Sequence, residues 1–267
     1  MRKHSSTAEP KAKIYFARTY RHLQIHTVGT IVFLLAFLLP MTILLLLFYD
    51  ELTWFACQAA VYLLHLMEVP WTTVGTSSFL PFFGPVYYVS APTVFPGPLP
   101  PLVNLAIVLC LVWLLSTGPR KGRPIAIYLS ITLLIHAMAC LFFLLGGDLF
   151  PYTLADYSDL YVKQQVGIWL AFLVLMGLIM GLLGRGGVLR RILTVLMLMA
   201  YSLLFGTVRY ALFLGILFRF SVLYMPVMFF ALGPLFDFLY FVAIYAISVN
   251  GMIRIYDSKR KGEWLWA

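Results

Sequence analysis

Six apolar runs, each close to the length that crosses a bilayer, leave this chain few ways to fold. They are Ile25–Phe48, Leu102–Gly118, Pro124–Gly146, Gln164–Leu183, Ile192–Phe218 and Val227–Val249. About 20 apolar residues in an α-helix match a hydrocarbon core of about 30 Å. In lipid every backbone N–H and C=O must find a partner inside the protein, and a helix meets that demand by itself. The runs therefore predict an all-α polytopic membrane protein with about six transmembrane helices. Only 11% of the residues are charged and 62% are hydrophobic, whereas a soluble domain carries about 25% charge. A soluble globular fold is excluded.

The net charge of +9 could suggest a nucleic-acid partner, but its distribution points elsewhere. Arg2, Lys3, Lys11, Lys13, Arg18 and Arg21 precede the first run. Arg120, Lys121 and Arg123 lie between the second and third, and Arg185, Arg190 and Arg191 between the fourth and fifth. Arg254, Lys259, Arg260 and Lys261 follow the last. Residues 49–101 contain no Lys or Arg at all. Basic residues concentrated in alternate connections mark the cytoplasmic side. The expectation is an inner-membrane protein with both termini cytoplasmic: a basic segment at 1–24, a transmembrane domain at 25–253 with an extracytoplasmic cap at 49–101, and a tail at 254–267. The lipid bilayer is then the partner of the basic residues, and nucleic acid is not. No small-residue cleavage site precedes Tyr49-Asp50-Glu51, so the first run is expected to remain as a signal anchor.

Residues 52–68 are apolar at helical spacing, yet they are short and carry Cys57, Gln58, His65 and Glu68. Were they to cross the bilayer separately, the arginine asymmetry of every later loop would invert. They are expected to form an interfacial or re-entrant helix on the outer side. Beyond it, Tyr87-Tyr88-Val89 can form a short strand, and Pro92, Pro96, Pro98, Pro100 and Pro101 oppose regular structure after it. The Pro- and aromatic-rich stretch reads as a cap with its rings at headgroup depth.

Charged groups inside the runs are costly and select for partners or function. Arg209 lies in LLFGTVRYALFLG, and Asp237 lies in the following run, which is antiparallel to it. Together with Gln164 and Gln165, expected at the outer start of the fourth run, they form a candidate polar site toward the outer leaflet. It reads either as a buried ion pair locking two helices or as a site that recognises an anion. Asp148, Asp156 and Asp159 are expected in a solvated loop above it. A second candidate is His136 with Cys140, four residues apart on one helical face, since a Cys–His pair is the minimum for a thiol nucleophile. Packing residues are the plainer reading of that pair. Cys57 and His65, eight residues apart, cannot bond to each other. No phosphate loop, dinucleotide fingerprint or metal-ligand spacing occurs in the sequence, so no cofactor and no metal are expected.

The segments QQVGIWLAFLVLMGLIMGLLGRGGVLRRILTVLMLMAYSLLFGTVRYALFLG (164–215) and ALGPLFDFLYFVAIY (231–245) resemble the core of the exosortase/archaeosortase family. Its members are polytopic membrane transpeptidases that process C-terminal sorting tails outside the membrane. The family pattern has a Cys-x-Gly at the outer start of one span, a basic turn, an Asn-x-x-Arg near the end of the next span, and a His opening the last. LLHLMEVPWTTVG (63–75) also looks like the family's LLxxxGxPxxxxG stretch, though it lies farther upstream. The resemblance places Arg209 at the family arginine, Gly206 at the asparagine, Gln165 at the nucleophilic cysteine and Asp237 near the histidine. It implies a relative that keeps the architecture and the arginine without the nucleophile.

The function expected from the sequence is that of a non-catalytic membrane subunit of a bacterial-type cell-envelope assembly for export, protein sorting or polysaccharide synthesis, with other membrane subunits as partners. The alternatives are an exosortase-like cysteine transpeptidase using Cys140 with His136, or Cys57, and a small lipid or solute permease subunit. Against the permease stand the lack of an internal repeat and of a broken helix pair.

Overall fold

The computed structural model describes residues 27–117, 123–182 and 187–259. The basic segment 1–24, Arg120, Lys121, Arg185, Arg260 and Lys261 lie outside the described residues. Helix α1 (Thr27–Phe33) runs through a π-turn (Leu34–Leu38) directly into α2 (Leu39–Leu66). A hairpin follows, made of β1 (Thr73–Ser77) and β2 (Val86–Ser90). Then come α3 (Leu99–Thr117), α4 (Arg123–Gly146), α5 (Leu154–Leu182) and α6 (Val188–Phe220). A 3₁₀ turn (Val222–Tyr224), the single turn α7 (Met225–Val227) and a second π-turn (Met228–Leu232) lead into α8 (Gly233–Lys259). Six helical stretches among the described residues are long and apolar enough to cross a membrane. The chain is an all-α multi-pass membrane protein.

Both π-turns end two residues before a proline, Pro40 and Pro234. Proline cannot donate to the carbonyl four residues back, and its ring crowds that carbonyl. Widening the helix by one residue just ahead of the ring relieves the clash without breaking the rod. In the first case the widened turn also pushes Leu38 against α5. A Cβ on Gly177 would lie 2.4 Å from Leu38 Cδ1, so only glycine leaves room there. Thr30 donates to Gly181 O one turn along, at 3.0 Å.

The sequence expectation fails at residues 52–68. They are neither an interfacial nor a re-entrant element. They form the last turns of the rod that begins at Thr27, and α2 continues to Leu66 without a break. The apolar stretch Val28–Leu66 is 39 residues long, about 58 Å at 1.5 Å per residue. That is nearly twice the hydrocarbon thickness, so a helix that spans the bilayer also projects beyond it. The acids Asp50 and Glu51 mark no helix end.

Helix α2 stops in a Schellman closure. Val69 N donates to Leu64 O at 3.0 Å and Glu68 N to His65 O at 3.1 Å, with Glu68 held at φ 59°. Glycine is the usual occupant of that left-handed position, and a residue with a Cβ costs about 1–2 kcal/mol there. Glu68→Gly is therefore expected to raise unfolding stability by about 1 kcal/mol, read from denaturation in mild detergent. No gain, or a loss, would mean that the Glu68 side chain contributes more than its backbone strain costs.

The hairpin is the one β element among the described residues, with Thr73 opposite Ser90 and Ser77 opposite Val86. Strand β2 matches the expected Tyr87-Tyr88-Val89 strand, and β1 completes it. The free edge of β2 is covered by side chains. Cys57 donates to Tyr87 O at 2.8 Å, Tyr87 N donates to Thr53 Oγ1 at 3.2 Å, and Val89 N donates to Tyr210 Oη at 2.8 Å. Val86 and Val89 are fully buried. Two helices thus take the place of a third strand and blunt an edge that would otherwise invite pairing.

Helix α5 starts earlier than the apolar run does. Thr153 and Asp156 form a capping box: Asp156 Oδ2 accepts from Thr153 N at 2.8 Å and Asp156 N donates to Thr153 Oγ1 at 3.2 Å. Asp156 and Asp159 therefore lie on the first turns of a helix and not in a free loop. Asp159 accepts from Ser77 of β1 and pairs with Lys163 at 2.7 Å. Gln164 and Gln165 are correspondingly about three turns inside α5, not at its start.

Helix α8 is joined to α6 by polar links along its length. Arg209 meets Asp237, Ser202 Oγ meets Tyr240 Oη at 2.7 Å, Thr194 Oγ1 meets Ser248 Oγ at 2.9 Å, and Arg190 Nη2 donates to Ser248 O at 3.3 Å. Lipid tails are as apolar as leucine, so hydrogen bonds and close packing, not the hydrophobic effect, hold helices together in a bilayer.

Candidate functional site

The polar site stands where α5, α6 and α8 meet. Arg209 is only 4% exposed, and so is Asp237. All three guanidinium nitrogens are engaged. Nε donates to Tyr161 Oη at 2.8 Å. Nη1 donates to Gly233 O at 2.9 Å and also lies 2.9 Å from Asp237 Oδ1, as an ion-pair contact outside hydrogen-bond geometry. Nη2 donates to Asp237 Oδ2 at 3.0 Å and to Gln165 Oε1 at 3.1 Å. The guanidinium carbon also lies over the Tyr161 ring at 5.6 Å and the Phe205 ring at 5.8 Å. A buried charge needs an opposite charge and hydrogen bonds, and this one has a carboxylate beside it and a hydrogen bond from each nitrogen.

Three of the four residues expected to form the site are brought together: Arg209, Asp237 and Gln165. Gln164 points elsewhere on α5, is half-buried, and is not a partner of Arg209. Gly206 fits the assembly for a steric reason. A Cβ there would come within 2.9 Å of Gln165 Nε2, so a larger residue would push the amide away from the guanidinium.

The sequence reading missed Tyr161, Ser202, Tyr210 and Tyr240. Helical spacing carried the signal. Tyr161 is one turn before Gln165, Ser202 two turns before Arg209, and Tyr240 nearly one turn after Asp237, each therefore on the same face. Tyr210 couples the site to the hairpin. Its ring stacks on Tyr161 with centroids 5.0 Å apart, while its hydroxyl bonds Ser158 and accepts from Val89 N. Along α5, Tyr157, Tyr161, Gln165 and Trp169 form a buried stripe at four-residue spacing. Tyr157 Oη and Trp169 Nε1 have no hydrogen-bond partner. A crevice of only about 10 Å³ lies beside the stripe, between Thr53, Trp169 and Thr207.

The second expected pair does not assemble into a thiol–imidazole couple. His136 turns to α3 and to the 3₁₀ turn after α6. Its Nε2 lies 3.4 Å from Asn104 Oδ1, which also accepts from Tyr224 Oη at 2.9 Å, and its ring stacks on Tyr224 at 5.0 Å. Cys140 is fully buried. Cys57, the other buried thiol, donates to the hairpin, and neither thiol is among the partners of Arg209.

Compared with models of known protein families, with curated proteins and with solved structures, the chain gives no match in any of the three.

Proposed function

We propose that this chain is a non-catalytic membrane subunit of a cell-envelope assembly acting in export, protein sorting or polysaccharide synthesis, built on an exosortase-like arrangement of helices. The observation that carries the non-catalytic part is the saturation of Arg209. A guanidinium whose every nitrogen is engaged by Tyr161, Gln165, Gly233 and Asp237 has little to offer a substrate, and no thiol is among its partners. In this reading the arginine organises α5, α6 and α8, and the hairpin rests on them through Tyr210.

The far part of α2 supports the need for partners. Arg191 lies over Phe33 at 6.0 Å, which ties the start of the rod to the basic end of the bundle. Counting from there, a bilayer of about 30 Å covers about 26 residues of helix even at a 40° tilt. Tyr62 and Leu66 lie beyond that reach and are both 66% exposed. Exposed apolar side chains outside lipid are the mark of a protein interface. The positive-inside pattern would put the basic end in the cytoplasm and the hairpin outside, in an inner membrane.

Extraction of the tagged chain from its own membranes in mild detergent is expected to bring down another membrane protein in fixed stoichiometry. Tyr62→Asp with Leu66→Asp should release that protein while leaving the chain folded. A chain that purifies as a stable monomer would overturn the subunit reading. An envelope-processing activity abolished by Cys57→Ser or by Cys140→Ser, in a variant that still folds, would replace it with the transpeptidase reading.

A further inference from the structure

At the hairpin end of the bundle, away from Arg209, the strap between β2 and α3 and the end of α4 line an open cavity of about 530 Å³. Three phenylalanines are among the residues that line it. Phe95 and Pro96 face it from the strap, and Phe143 and Phe150 from the end of α4 and the turn after it. The rings of Phe143 and Phe150 are 4.9 Å apart. The strap is fixed at two points, because Leu154 N donates to Thr93 Oγ1 at 2.9 Å and Val222 N donates to Val94 O at 3.0 Å. The wall is therefore held in place before anything binds.

The electrostatics of this cavity favour one sign. Its floor is the last turn of α4, where helix carbonyls lack intrahelical donors and the macrodipole is negative. Asp148 stands beside it, and no Lys or Arg lines it among the described residues. The surroundings have the same sign, since Asp50, Glu51, Glu68, Asp148, Asp156 and Asp159 lie on this end against Lys163 and Arg219. Aromatic faces, carbonyl oxygens and a carboxylate with no competing cation attract an organic ammonium group. The cavity sits where the apolar stretch Ile125–Leu149 ends, at the level of lipid headgroups. Leading to it along α4 are Met138, Leu141 and Leu145, exposed at three- and four-residue spacing, a track suited to an acyl chain.

We infer that this cavity is a binding site for an ammonium-bearing phospholipid, with the ammonium among Phe95, Phe143, Phe150 and Asp148 and one chain along the Met138–Leu145 face. An anionic lipid finds no cation there, whereas a zwitterionic one can keep its phosphate toward water. The inference is independent of the role proposed for Arg209.

The test reconstitutes the full chain in nanodiscs of equimolar phosphatidylethanolamine and phosphatidylglycerol with matched chains. The lipids retained after transfer to mild detergent are counted by native mass spectrometry. Retention of phosphatidylethanolamine over phosphatidylglycerol by about fivefold is expected, the size that a partly exposed cation–π site with a nearby carboxylate supports. Asp148→Asn, at an exposed position that does not threaten folding, should lower the ratio, and Phe95→Leu with Phe150→Leu should bring it close to one. Equal retention by the unaltered chain would overturn the inference, as would a preference that survives in both variants. Soluble glycerophosphoethanolamine, which has the headgroup without the chains, should fail to displace the retained lipid. Full displacement would overturn the lipid assignment in favour of a free ammonium compound.

Discussion

Arg209→Ala and Asp237→Ala should each destabilise the protein by about 3–5 kcal/mol, because each leaves an uncompensated charge in the bilayer interior. The double variant should lose much less than the sum. It removes both charges and takes one partner from each of three neutral groups, at a cost of about 1–3 kcal/mol each at most: Tyr161 Oη, which still donates to Gly206 O, the Gln165 amide, which still donates to Ser202 Oγ, and Gly233 O. Reversible unfolding in mild detergent measures all three. A double variant as damaged as the two singles combined would show that the charges do not stabilise each other. Arg209→Lys should fail nearly as badly as alanine. An ammonium has no planar fork with which to reach Asp237, Gln165, Gly233 O and Tyr161 at once. The comparison separates a need for positive charge from a need for this geometry.

Tyr210 carries the second large effect. Tyr210→Phe keeps the ring on Tyr161 but removes the acceptor for Val89 N and the partner of Ser158, both buried, for a loss of about 1–3 kcal/mol. Tyr210→Ala adds a cavity where a fully buried side chain stood and should cost about 3–5 kcal/mol. Because β2 depends on side chains for its outer edge, both variants should speed amide hydrogen exchange in Val86–Ser90 before the helices are affected. Exchange that rises uniformly over the chain would mean that the hairpin and the helices open as one unit. The two series also differ in location, since the ion-pair variants loosen α8 and the Tyr210 variants loosen the hairpin.

Much of this arrangement could be read from the residues. The six spans follow from the lengths of the apolar runs. The partnership of Arg209 with Asp237 follows from the rule that intramembrane charges seek each other. What escaped had definite causes. Apolarity marks where a helix is in lipid and says nothing about where a helix ends, so the continuation of α2 past Asp50 and the early start of α5 at Leu154 were hidden. The Thr153–Asp156 capping box did announce that start. Strand β1, TVGTS, is polar and holds a glycine, so it lacks the period-two signature of a strand. Its pairing is fixed by β2 and by the helices beneath. The site tyrosines Tyr161, Tyr210 and Tyr240 were three among 16, and only the helical spacing of Tyr161 to Gln165 and of Tyr240 to Asp237 marked them. His136 and Cys140 share a helical face, as expected, but the neighbouring α3 offered His136 the side chain of Asn104, and adjacency in sequence lost to a partner in space.

The π-turn at Met228–Leu232 has a consequence for the ion pair it precedes. It adds one residue to the turn, and one residue corresponds to about 100° of helical rotation. The azimuth of Asp237 relative to the anchored 3₁₀ turn at Val222–Tyr224 is therefore set by a count of residues in a segment that carries no charge. Chain length acts there as a phase setting. An alteration that left every site residue in place, and changed only the number of apolar residues ahead of them, would turn the carboxylate away from its arginine as surely as replacing it.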